Sequence, residues 1–201
     1  MLFVAAFIAG FGLCAAASIN AKSVRNKSDK IYNNTLKAVQ NNGTLRLLWY
    51  SHELENNLAT CLISRFLQDE ENGARRTLET NEKTPDQNTK SNITISLKRG
   101  PLYPTLKIEA KEGELSAHWS DEHSLEFATG NCFLLDALIT SKKKPYCAVW
   151  GVNKSNSSCI RQAEHVCEPG RKVDLTQCAP VEKRKNSPTL LDIYTCEIVF
   201  L

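Results

Sequence analysis

The stretch SNITISLKRGPLYPTLKIEA, residues 91–110, decides the fold class. Ile93, Ile95 and Leu97 alternate with Thr94 and Ser96, and after a Gly-Pro turn Leu106 and Ile108 alternate with Lys107 and Glu109. A period of two means that successive side chains leave opposite faces of an extended strand. The same period recurs on both sides. LRLLWYS (45–51), LATCLISRF (58–66), ELSAHWS (114–120), HSLEFAT (123–129), CFLLDALI (132–139) and YCAVWGV (146–152) complete a set of short, regularly spaced strands. Lys111-Glu112-Gly113 reads as a hairpin connection, and Gln68–Gly73 and Asn81–Lys90 read as loops. Such spacing marks an antiparallel sandwich or barrel with one buried face.

Two helices flank this array. SDKIYNNTLKAVQ (28–40) opens with capping residues, presents Ile31, Leu36 and Val39 on one side, and ends at Asn41-Asn42-Gly43. SNSSCIRQAEHVC (155–167) places Cys159, Ile160, Ala163, Val166 and Cys167 on one face before Glu168-Pro169-Gly170. The expected division is a 22–44 segment with a short helix, a body over 45–180 and a tail over 181–201.

Residues 2–18, LFVAAFIAGFGLCAAAS, contain no charge and end in small residues. The run is too short to span a bilayer and fits a secretory signal peptide over 1–21, cleaved near 17–21. The expected location is therefore extracellular, without a membrane anchor. After cleavage seven cysteines remain: Cys61, Cys132, Cys147, Cys159, Cys167, Cys178 and Cys196. In an oxidising compartment thiols pair, seven leaves one over, and spacing alone does not fix the partners. No CxxC or paired-histidine spacing suggests a metal. Six acceptor motifs, at Asn26, Asn33, Asn42, Asn92, Asn153 and Asn156, point to glycosylation.

The net charge of +3 is too small to suggest nucleic acid. Lys142-Lys143-Lys144 and Lys183-Arg184-Lys185 sit beside turn formers, as solvated loops do. No GxSxG, HExxH, Walker loop or dinucleotide fingerprint is present, and His52, His118, His123 and His165 are scattered. These observations favour a binding protein over an enzyme and imply no cofactor.

The stretch 131–178, NCFLLDALITSKKKPYCAVWGVNKSNSSCIRQAEHVCEPGRKVDLTQC, resembles the C-terminal half of the tick salivary lipocalins, the histamine-binding-protein-like family. There one strand begins with cysteine, a later strand carries Cys-x-x-Trp, a helix is bracketed by cysteines, and another cysteine follows. Here these are Cys132, Cys147 with Trp150, Cys159, Cys167 and Cys178. LLWYSHE (47–53) with Cys61 resembles the family's first strand and first-hairpin cysteine. The resemblance implies a mainly β fold: an eight-stranded antiparallel lipocalin-type barrel with a short N-terminal helix and a C-terminal helix on its wall. It also implies Cys61–Cys178, Cys132–Cys159 and Cys147–Cys167 pairing, with Cys196 outside the pattern.

By the same resemblance the partner is a small host mediator, sequestered to suppress inflammation or haemostasis. An amine needs buried carboxylates and aromatic faces. Amine-binding members carry Asp after the strand cysteine, whereas this chain has Cys132-Phe133-Leu134. That favours an apolar or lipid mediator, although Asp136 shares the parity of Cys132 and Glu53 stands near Trp49 and Tyr50. The candidate ligand contacts are Trp49, Glu53, Trp119, Phe127, Phe133 and Trp150. The tryptophans either line a pocket or plug the barrel. Arg46, Arg65 and Lys107 are available to a ligand carboxylate. The rival functions are a glycoprotein that binds a host complement or clotting protein through its loops, and an unrelated β-rich secreted domain.

Overall fold

The computed structural model describes residues 22–84, 88–113, 119, 122–138, 144–152 and 157–181. The signal-peptide segment, Asn153, Asn156, Cys196 and the basic run at 183–185 lie outside the described residues.

Among the described residues, ten strands form one sheet. They are β1 (Leu45–Ser51), β2 (Leu62–Ser64), β3 (Phe66–Glu70), β4 (Gly73–Thr80), β5 (Lys90–Lys98), β6 (Thr105–Glu112), β7 (Glu122–Thr129), β8 (Cys132–Leu138), β9 (Tyr146–Gly151) and β10 (Gly170–Lys172). β2 and β3 both pair with β4 and are interrupted only at Arg65, so they act as one stave. From β4 to β9 each strand pairs antiparallel with the next, and β9 pairs back onto β1. The sheet therefore closes into an eight-stave up-and-down barrel with no free edge between first and last strand, the architecture that lipocalins share. β10 takes over the β2 side of β1 at Trp49–Ser51. It comes close enough that a Cβ on Gly170 would stand 2.2 Å from the Tyr50 carbonyl.

The helix α1, residues 22–39, lies across one end of the barrel. It buries Ile31, Tyr32, Thr35, Ala38 and Val39 on one stripe. Its polar side chains hold the turns at that end: Ser28 Oγ donates to the Gly100 carbonyl, Asn34 Nδ2 to Ala128 and Gln40 Nε2 to Glu70 and Gly73. The helix α2 (Ser157–Val166) packs outside the wall, against β7, β8 and β9. Its stripe of Cys159, Ile160, Ala163 and Cys167 covers Leu48, Trp49, Cys132, Leu134, Cys147 and Val149.

Several expectations need correction. β1, β8 and β9 bury both faces, the outer one beneath α2, so the wall is not uniformly one-sided. Gln68–Gly73 is not a loop. It spans the end of β3, a two-residue turn and the start of β4, a strand whose inward position at Arg76 carries a charge where alternation predicts an apolar residue. The expected strand 58–66 begins late, at Leu62, after a 3-10 helix over His52–Asn57 and a turn. The strand expected over 114–120 falls mostly outside the described residues; within it Trp119 is helical, and β6 runs on to Glu112 and pairs with β7. The remainder of 114–121 lies outside the described residues.

Candidate functional site

Side chains from β1, β2, β4, β5, β6, β8 and β9 converge on a cavity inside the barrel. It is lined by Leu45, Ser64, Leu78, Ile93, Ile95, Leu106, Ile108, Phe133, Leu135 and Trp150. The gaps between these side chains and the solvent at the open end together come to about 300 Å³, so the free room inside is much smaller than that. Alternation sets Ile95 directly opposite Ile108 and Leu97 opposite Leu106, with Ile93 on the same face, so the sequence pattern of 91–110 builds one wall directly. Among the described residues of this lining, Ser64 carries the one hydroxyl. Such a surface gains by excluding water from hydrocarbon and returns little to a charge.

Phe133 and Trp150 are direct cross-strand partners, and both line the cavity. Trp119 is 3% exposed and packs edge-on against Trp150, ring centroids 5.6 Å apart, and against His123 at 6.2 Å. His123 is buried, and one ring nitrogen lies 3.1 Å from the Asp136 carbonyl oxygen. An imidazole meeting a carbonyl must donate, so Nδ1 carries the proton.

Trp49 and Phe127 lie elsewhere. Counting by twos from Leu45 and from Leu125 places both inside, but each strand carries an extra residue. The pairing of β1 with β9 shifts between Leu47 and Trp49, and that of β7 with β8 between Leu125 and Phe127. A bulge reverses the parity beyond it. Trp49 joins the cluster under α2, and Phe127 packs against that cluster. Glu53 is exposed on the 3-10 helix. Asp136 pairs with Cys147 on the outer parity, away from the lumen.

The three cations named for a ligand carboxylate also face outward. Arg46 alternates with the buried Leu45 and Leu47, Arg65 pairs with Glu79 at 3.3 Å, and Lys107 with Glu109 at 2.8 Å. The inward cation is Arg76, which the sequence reading missed. It is fully buried and shares inner parity with Ala74 and Leu78. Burial lowers its pKa to about 10, so it remains charged at neutral pH. The available signal was ARRTLET, a strand-length run next to a short turn, but polar composition concealed it.

Among the described residues, three disulfides join Cys61 to Cys178, Cys132 to Cys159 and Cys147 to Cys167, the pairing that the family resemblance implies. The last two staple α2 to β8 and β9. The first ties the C-terminal segment to the β1–β2 connection, where Asn81 also bonds Cys61 and Ala179 through the backbone. Among the acceptor asparagines, Asn26, Asn33 and Asn42 are exposed, while Asn92 is half-buried and its amide donates to Glu112. Among the described residues no group of three or more His, Cys, Asp or Glu side chains converges as a metal site requires.

No protein-family model matches the chain, and no curated protein matches it in sequence. Among solved structures it is similar to Japanin from Rhipicephalus appendiculatus bound to cholesterol, at 17% identity and a TM-score of 0.49, covering 68% of this chain and 94% of that one. The barrel assignment here stands on the strand pairing, not on this likeness.

Proposed function

We propose that this chain is a secreted carrier that sequesters one small apolar molecule inside its barrel. The carrying observation is the composition of the lumen: among the described residues, nine hydrocarbon or aromatic side chains and one serine. Burying apolar surface contributes about 25 cal/mol per Å², so such a lining rewards a ligand for its hydrocarbon area. An amine would need a carboxylate in the lumen, and Asp136 and Glu53, the two candidates, both face away from it. An apolar or lipid mediator therefore fits better than histamine or serotonin.

Export is supported by the apolar leader at 2–18 and by disulfides that need an oxidising compartment. The exposed positions of Asn26, Asn33 and Asn42 are compatible with glycans there. A role against host inflammation or haemostasis rests on the resemblance in cysteine pattern.

Native mass spectrometry of the secreted protein, followed by displacement titrations, tests the proposal. The expected result is one equivalent of an apolar molecule, displaced by lipids and not by histamine or serotonin. Saturable amine binding with no apolar binding would overturn it.

A further inference from the structure

A buried guanidinium beside an apolar cavity looks like a seat for a ligand carboxylate. The hydrogen bonds of Arg76 say otherwise. Nε donates to Ser64 Oγ at 2.9 Å. Nη1 donates to the carbonyls of Val39 and Asn41, and Nη2 to those of Gly43 and Ser64, each at 2.8 Å. A guanidinium has five N–H donors, and here five acceptors engage them. Val39 and Asn41 belong to the end of α1 and its exit, where the helix gathers negative partial charge. The floor of the barrel thus satisfies Arg76 in full. The Ser64 hydroxyl, the one polar group in the lining, is the acceptor for Nε.

A ligand charge brought into this lumen would lose its hydration and, among the described lining residues, meet a single hydroxyl in return, that of Ser64. At the end away from α1 the surroundings differ. Tyr50, exposed Glu55 and exposed Arg171 form a hydrogen-bonded chain there, and the polar, exposed end of β6 reaches the same end.

Taking the carrier reading as its basis, we infer that the barrel receives its ligand hydrocarbon end first. The deep lumen holds only uncharged atoms, and a carboxylate or other charged head stays at the end away from α1. The ligand class is a neutral apolar molecule or a single-chain amphiphile with its head outward. Arg76 is a floor residue and not a headgroup receptor.

Three ligands of one chain length make the test: decanoic acid, its methyl ester and decanol, titrated against the disulfide-bonded protein. Their affinities are expected to agree within about threefold, whereas a carboxylate paired with a buried guanidinium would favour the acid by about a hundredfold. Brominated decanoates then report orientation, since Trp119 and Trp150 lie in the barrel interior. Bromine at the chain terminus should quench tryptophan emission more strongly, at equal occupancy, than bromine beside the carboxylate. Strong preference for the acid, lost in Arg76→Lys, or the reverse quenching order would overturn the inference and leave the carrier reading intact. No saturable binding of any of these ligands would remove both.

Discussion

Arg76 Nη1 donates to the carbonyl oxygen of Val39 across 2.8 Å, joining the inward face of β4 to the last turn of α1. The same guanidinium reaches past the helix end to Asn41 and Gly43 and sideways to Ser64. One side chain therefore locks the cap helix onto the barrel. Replacing it with methionine keeps some of the volume but leaves several carbonyls without donors, each worth about 1–3 kcal/mol when buried. We expect Arg76→Met to lose about 3–5 kcal/mol. Arg76→Lys should recover little, because an ammonium has three donors and no planar fork. Urea unfolding midpoints measure both. A loss under about 1 kcal/mol would mean that the floor is held by α1 packing alone.

The strand array was legible wherever alternation was clean. β5 and β6 could be read directly, because Ile93, Ile95, Leu97, Leu106 and Ile108 all face one core. The errors in placing Trp49 and Phe127 share one cause. A bulge adds a residue without a sequence signature of its own, and counting by twos then turns the wrong face inward. β4 was hidden for another reason, since its inward set is Ala74, Arg76 and Leu78, and the central member is charged. An arginine that satisfies backbone carbonyls looks in sequence like one that faces water. The helix–strand staples were legible only through the cysteine order, not through spacing, which leaves many pairings open.

The disulfides should differ in what they contribute. Cys61–Cys178 closes a separation of 117 residues, against 27 for Cys132–Cys159 and 20 for Cys147–Cys167. In the chain-entropy account a loop of the first size contributes about 4–5 kcal/mol and loops of the other two sizes about 3 kcal/mol each. Paired Cys→Ala variants, unfolded in urea, should rank in that order. If removing Cys61–Cys178 costs least, native-state packing of the C-terminal segment outweighs loop closure.

Glu126 gives a pH signature. It is the extra residue of the β7 bulge and half-buried, and its carboxyl pKa is raised, first by loss of hydration and then by the charge of Asp136. An acid whose folded pKa lies above its unfolded value of 4.5 holds its proton longer in the folded state. Its contribution to stability is fully present below that unfolded value and is lost as pH rises through the folded one. Glu126→Gln should therefore be more stable than the parent at neutral pH, and the two should converge on acidification to 4.5 and below. Denaturation midpoints at the two pH values decide it; a variant no more stable at neutral pH would show that solvent reaches Glu126 freely.

Trp119 backs the Trp150 wall of the lumen. Its ring sits edge-on against Trp150, which lines the cavity, and it is almost wholly buried although the strands around it belong to other segments. With little free room between the walls, a flat polycyclic ligand displaces more of the interior packing than a slender chain does. Trp119→Ala should cost about 3–5 kcal/mol, the usual loss for a large aromatic removed from a core. It should also shift selectivity, raising affinity for a sterol-sized ligand relative to decanol. Trp119→Phe, which keeps an aromatic ring on Trp150, should shift it less and serves as the stable control. Titrations that follow Trp150 emission read the ratio in each variant. An unchanged ratio across all three proteins would place the ligand away from Trp119 and leave that tryptophan as core packing alone.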